Sequence, residues 1–507
     1  MERSVKLYPE HLREIRTVSD RLMSYNIEMT EVTGGTFWKA YTPEQIAGRA
    51  EFPPMLGDTK NITKTPEVMQ YYPPIDLSNL RLRSLAKALG PVWIRVSGTW
   101  ATKTYYDFDG VTGGKAPDGY QSILTREQWI GVLDFVKAVG GKLLISISNC
   151  AGDHPNGGPL DLSQAEKIFS FSRQYGVEID AVEFMNEPNM LEVSGAPAGY
   201  TAQDYARDQD ILNAWVRENE PNCLLVGPCA MCDPSVGRPD EKNMGLGISQ
   251  LLDVCTTDDL MKGTGVKLDV FSYHAYNGVS ERGMSTVPKL HWFGEEAVSD
   301  AYLAVAADRA RDHLPLRDRY VPGGPMWVTE SGDAVMGGNT WASTYLDVFR
   351  TLNELGSFAA VTDGVIFHNT LASSDYGFLD HSTFEPRPNY FAVLLWNRLM
   401  GTTVYDCKNP GMEGLHIYCP SRRDQLPGVV YLIINNSLKG STFVELPRDA
   451  ERYTLSAQSL RAPVMQLNGN DLKLSNVADL PKLTPIREPA GKIELLPGSC
   501  TFLVMEQ

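Results

Sequence analysis

Two glutamates follow strand-like runs in a way that could set a pair of carboxylates across one catalytic centre. Residues 181–190 read AVEFMNEPNM, in which apolar, strand-forming residues run into Asn186, Glu187 and Pro188. A buried strand there would end by delivering an amide and a carboxylate at its C-terminal tip. Residues 326–332 (MWVTESG) repeat the design and deliver Glu330. Two such carboxylates about 5 to 5.5 Å apart suit glycoside hydrolysis with retention, one acting as acid then base and the other as nucleophile. Asn186, beside Glu187, suits a hydrogen bond to a sugar 2-hydroxyl. Arg95, at the end of a strand-like run over 92–96, can hold a neighbouring carboxylate ionised. His274 and Tyr276, just after a run over 268–273, read equally as site residues and as ordinary core or rim residues. Trp100 and Trp341 can stack on sugars or pack inside.

Such a pair needs a scaffold that brings distant strand ends to one mouth, and the chain has its rhythm. Strands are expected over 24–29, 92–96, 142–148, up to Glu187, and over 223–227, 268–273, 325–329 and 364–367. Between and after them lie helical patterns over 80–89, 125–139, 200–219, 297–314, 341–355 and 390–400. Thr125 with Gln128, and Ser163 with Glu166, have capping-box spacing at helix starts. Eight strand-helix units are the pattern of an α/β fold, the (β/α)8 TIM barrel, with Glu187 ending strand four and Glu330 strand seven. The Pro- and Gly-rich region from the Gly34-Gly35 turn to Leu77 is long for an idle loop. From about residue 404 the texture changes to short β-rich runs over 415–419, 429–435, 442–446, 453–455, 464–467, 492–495 and 501–505, which read as a β-sandwich. An N-terminal strand over 4–7 would find its sheet there. The expected division is residues 1–15 joining the sandwich, 16–403 as barrel and 404–507 as sandwich.

Bulk composition narrows the partners. The 507 residues carry a formal charge of -16, which argues against nucleic acid or an anionic membrane as the main partner. Eight cysteines are too sparse for a disulfide scaffold. Cys229 and Cys232 have Cys-x-x-Cys spacing, but with no second pair or histidine cluster they read as two small semi-buried loop residues rather than a metal or redox site. The first ten residues hold no apolar leader core, so the protein is expected in the cytoplasm unless a leader has been removed, which would make it secreted.

With those residues in view, the chain resembles family 79 of the clan A glycoside hydrolases, the heparanase and β-glucuronidase family. The likeness runs along nearly the whole length. It is closest over 326–338 (MWVTESGDAVMGG) through 376–406 (YGFLDHSTFEPRPNYFAVLLWNRLMGTTVYD), with more in 82–100 (LRSLAKALGPVWIRVSGTW), 181–189 and 496–505 (LPGSCTFLVM). The resemblance implies a barrel plus β-sandwich and a retaining mechanism with Glu187 as acid/base and Glu330 as nucleophile. It further implies that Gly337, Gly338 and Tyr376 match the pocket for a glucuronate carboxylate, that Tyr276 matches the tyrosine near the nucleophile, and that Glu28 holds a sugar-hydroxyl position. Lys-rich clusters of a heparan-binding kind are not evident, which favours small glucuronides or chain ends. The expectation is a retaining exo-β-glucuronidase with no metal or organic cofactor. The alternatives are an endo-acting enzyme on heparan- or hyaluronan-like polysaccharide, and a non-catalytic carbohydrate-binding barrel.

Overall fold

Eight parallel strands close into a barrel in the computed structural model, which describes residues 3–10, 12–53, 65–237, 242–408 and 410–506. In chain order they are Met23–Glu28, Trp93–Ser97, Lys142–Ser146, Ala181–Glu183, Leu224–Met231, Val270–Val279, Met326–Val335 and Ile366–His368. The eighth pairs with the first, Ile366 opposite Met23, so no edge is left open. Helices on the outside follow the expected rhythm. Arg126–Val139 starts at the foreseen capping box, with Thr125 and Gln128 satisfying each other's backbone, and stops at Gly140 in the left-handed conformation. The box expected at Ser163 and Glu166 does not form: Asp161 takes the Ser163 amide at 2.9 Å, and helix Ser163–Tyr175 begins behind Leu162 without a side-chain cap. Two strands run further than the apolar patterns suggested. The sixth continues through His274 to Val279 and the seventh through Glu330 to Val335, because polar residues pointing into a barrel mouth break the apolar run without ending the ladder.

The second unit is built of sheets on one apolar core. A nine-stranded sheet gathers strands from Met400–Asp406 to Ser499–Glu506, and a three-stranded sheet holds Ser4–Lys6, Thr442–Leu446 and Gly491–Leu495. Val5, Ile417, Ile433, Val444 and Leu503 are among the buried side chains packed between them. The N-terminal strand joins as expected, Ser4–Lys6 lying parallel to Thr442–Leu446. A second N-terminal strand, Arg13–Thr17, pairs with Met400–Asp406, beyond the one N-terminal strand expected. The region from Gly34 to Leu77 contains a hairpin, Gly35–Trp38 against Met69–Tyr72, that carries Phe37 and Trp38 over the barrel mouth; its residues 54–64 lie outside the described residues. All eight cysteines are free. Among the described residues no helix is long and apolar enough to cross a membrane.

Candidate active site

Alternation along the strands sorts the barrel interior into layers. Trp93, Leu144, Ala181, Val270 and Trp327 form an apolar plug, with the Trp93 and Trp327 rings 4.9 Å apart. Two residues further along the same strands stand Arg95, Ser146, Glu183, Ser272 and Thr329, a buried polar layer on which the mouth is built.

Arg95 is the centre of that layer. Its Nε and Nη2 donate to Glu183 Oε1 at 2.9 and 2.5 Å, Nη2 also donates to Asn186 Oδ1 at 2.8 Å, and Nη1 donates to Glu330 Oε1 at 3.0 Å. Glu183 is held in turn by Ser97 Oγ at 2.9 Å, by Ser146 Oγ, and by Cys229 Sγ on its other oxygen at 2.8 Å. Burial pushes the Glu183 carboxyl up, but Arg95 against it outweighs burial and leaves it below the ordinary glutamate value. Cys229 thus has a structural place beside the arginine pair.

The two foreseen carboxylates meet above this layer. Glu187 follows the fourth strand in a left-handed conformation (φ 46°), and the register between the sixth and seventh strands slips after Tyr273, bringing His274 directly opposite Glu330. His274 Nδ1 lies 3.0 Å from Glu187 Oε1 and 3.6 Å from Glu330 Oε2, while its Nε2 faces Arg95 Nη2 at 3.4 Å. The closest partner of the ring is the Glu187 carboxyl, which an Nδ1 hydrogen would serve as donor. Tyr276 donates its hydroxyl to Glu330 Oε2 at 2.8 Å, so both oxygens of Glu330 have a donor. The Glu187 carboxyl is pushed up by burial and, more weakly, by the like charge of Glu330, with His274 pulling the other way. It therefore keeps its proton to higher pH than an exposed glutamate.

One amide ties the remaining residues in. Asn369 Nδ2 donates to Tyr276 OH at 2.9 Å, Tyr376 OH at 3.1 Å and Glu28 Oε1 at 3.2 Å. Glu28 Oε2 is buried without a hydrogen-bond partner among the described residues, and burial, then repulsion from Glu330, push this carboxyl well above its ordinary value. The free Oε2, when it carries the proton, can donate to a sugar hydroxyl. A Cβ on Gly98 would sit 1.7 Å from Glu28 Oε2, so only glycine leaves room for that carboxyl. Arg95, Asn186, Glu187, His274, Tyr276, Glu330, Glu28 and Tyr376 thus fall into one connected network. Gly337 and Gly338 do not join it: they are buried behind the wall, where a Cβ on Gly338 would touch Tyr376 Cβ at 2.9 Å. Buried Arg282 takes the Met336 and Gly338 carbonyls at 2.9 Å each, and Asp375 N–H donates to the Gly337 carbonyl at 3.2 Å. Of the two tryptophans, Trp100 lines the cavity, whereas Trp341 is fully buried against Tyr302 as packing.

The cavity over the pair measures about 240 Å³ and is walled by Glu28, Asn186, Glu187, Tyr276, Glu330, Asn369 and Tyr376 at its base. A larger space of about 330 Å³ between the barrel helices and the second unit has one carboxylate, Asp406, and no pair, so volume alone does not locate the chemistry. Glu187, His274 and Glu330 each bring one ligand-type atom within 4.8 Å of the others. A cation there would be repelled by the Arg95 guanidinium, which already balances Glu330, so the set suits proton transfer better than metal binding.

Known proteins resemble this chain in sequence and in fold. No protein-family model matches it. Heparanase-like protein 1 of Arabidopsis thaliana is 25% identical over 485 residues, covering 85% of this chain and 85% of that protein. Baicalin-beta-D-glucuronidase of Scutellaria baicalensis is 22% identical, covering 85% of this chain and 83% of that one. The chain is a glycoside hydrolase similar in sequence to heparanase-like proteins and β-glucuronidases over most of its length. The solved structure of a 4-O-α-L-rhamnosyl-β-D-glucuronidase from Fusarium oxysporum matches this heparanase-like hydrolase in fold, with a TM-score of 0.64 at 13% identity over 99% of this chain and 100% of that one.

Sequence reasoning overlooked four residues of this heparanase-like hydrolase: Glu183, Asn369, Gly98 and Arg282. Glu183 had a signal. It lies four residues before Glu187, a charge inside an otherwise apolar strand, and a buried charge calls for a partner. Asn369, one residue past the eighth strand, sits at the strand-end position where barrel sites are built. Gly98 and Arg282 are placed by the loops of the heparanase-like fold and carry no comparable mark.

Proposed function

We propose that this heparanase-like glycoside hydrolase is a retaining exo-β-glucuronidase. The observation that carries the reading is the pair itself: Glu187 and Glu330 share His274, with one carboxyl oxygen of each within 4.8 Å of the other. That spacing suits direct attack, whereas inversion needs about 6.5 Å or more for an intervening water. Glu330 attacks the anomeric carbon as the glycosidic C–O bond breaks and Glu187 gives its proton to the leaving oxygen. Glu187 then takes a proton from water, whose oxygen attacks the same carbon and releases Glu330. Exo action is favoured by the small cavity and by its lining, which among the described residues includes no Lys or Arg to hold a sulfated or carboxylated polymer. Proton NMR of the fresh product is the test, and the β-anomer is expected first; an initial α-anomer would mean inversion.

The sugar is assigned through Tyr376. Its hydroxyl accepts from Asn369, and its own proton has no acceptor among the described residues, leaving it to donate to a carboxylate without adding charge. The enzyme should prefer a β-glucuronide to the matching β-glucoside, and Tyr376→Phe should remove about 1.5 to 3 kcal/mol of that preference, the scale of one hydrogen bond to a charged group. Equal kcat/KM on the two sugars in the wild type, or unchanged selectivity in the variant, would remove glucuronate from the reading.

A further inference from the structure

We propose that the mouth of the site is an aglycone subsite for an apolar group, so that the substrates are β-glucuronides of hydrophobic alcohols or phenols rather than glucuronyl sugars. The inference rests on the exo-β-glucuronidase reading and adds what lies on the other side of the scissile bond. Glu187 protonates the leaving oxygen, so the aglycone must leave past Glu187 and the chain next to it. That chain is Pro188–Ser194, which presents Met190 and Val193 to the cavity. The loop after the fifth strand faces the same space with Ile248, Leu251 and Leu252, and the loop after the sixth strand with Val287. Val193 is 42% exposed and Leu251 39% exposed, so apolar surface meets water at the rim of a site whose floor is polar.

Two physical points favour an apolar occupant. Exposed and half-buried apolar side chains converging from three separate loops on one cavity mark a surface that is covered in use. A sugar placed there would bring several hydroxyls against Met, Val, Ile and Leu side chains, and each unmatched hydroxyl loses its water without replacement. An alkyl chain or aromatic ring loses nothing and is removed from water. The patch is continuous with the Glu187 and Glu330 pair, so its occupant is the group joined to the glucuronate.

The test holds leaving-group chemistry constant. Methyl, butyl, hexyl and octyl β-D-glucuronides release alcohols of similar acidity, so differences in kcat/KM report contact with the chain alone. Each buried methylene should raise kcat/KM by about three- to fourfold until the subsite is filled. Leu251→Asn with Val193→Asn should cut the octyl-to-methyl ratio by tenfold or more. Because the ratio is read on one preparation, a partly unfolded variant does not mimic the effect. A flat series in the wild type, or an undiminished ratio in the double variant, overturns the inference while leaving the exo-glucuronidase reading in place. Failure to cleave every member, with a matching β-glucoside cleaved, would instead remove glucuronate as the sugar and this inference with it.

Discussion

Glu330→Gln should lose turnover of every substrate, by a factor on the order of 10⁴ or more, because no other carboxylate can form the bond to the anomeric carbon. Glu187→Ala should behave differently. Its loss should be large, on the order of 10² to 10⁴, for substrates with alkyl leaving groups that need a proton. For aryl glucuronides with good leaving groups the first step should be spared, the glycosyl-enzyme should accumulate, and added azide should restore turnover as the β-glycosyl azide. The same assignment fixes a pH effect. Burial and Glu330 raise the Glu187 pKa, so the proton it donates is present below that raised value and is lost as pH rises through it. Wild-type kcat/KM should therefore fall on its basic side, and that limb should vanish in Glu187→Ala with an activated aryl substrate. Equal and unrescuable losses in the two variants would contradict this division of roles between the carboxylates.

Arg95→Met should be the most destabilising substitution in the site, by roughly 3 to 5 kcal/mol in urea unfolding, because it leaves Glu183 and Glu330 buried without their cation. Adding Glu183→Leu should recover much of that loss, since replacing a buried ion pair by apolar groups is often neutral while breaking it is not. Activity should not recover with stability. Glu330 would still lack the Arg95 donor at 3.0 Å, and turnover should stay down by about 10² to 10³, the scale of one aligned electrostatic contact. A double variant no more stable than Arg95→Met would show that Glu183 is not the buried partner that matters. Full activity in the double variant would show that Arg95 acts on folding alone.

The parts of this enzyme that the sequence by itself determined are those encoded by local periodicity. Apolar runs alternating with helical patterns marked the barrel strands and outer helices, the Thr125–Gln128 box marked a helix start, and Glu187 and Glu330 stood out as charges beside strand-like runs. The change to short β-rich runs after about residue 404 marked the second unit in the same way. Periodicity says which face of an element is buried, and a buried face interrupted by a carboxylate says where chemistry is possible. It does not say which buried groups will meet. Arg95 finds Glu183 across 88 residues once the second, third and fourth strands lie side by side, and Asn369 finds Glu28 across 341 only when the eighth strand pairs with the first and closes the ring. The slip in register that sets His274 opposite Glu330 is a property of two strands in contact, not of either one alone. The empty corner at Gly98 has meaning only once the Glu28 carboxyl stands beside it. The apolar rim was the least legible part, because Val193, Leu251 and Val287 come from three loops with no common pattern, and only the barrel, by bringing every loop to one mouth, makes them a single surface.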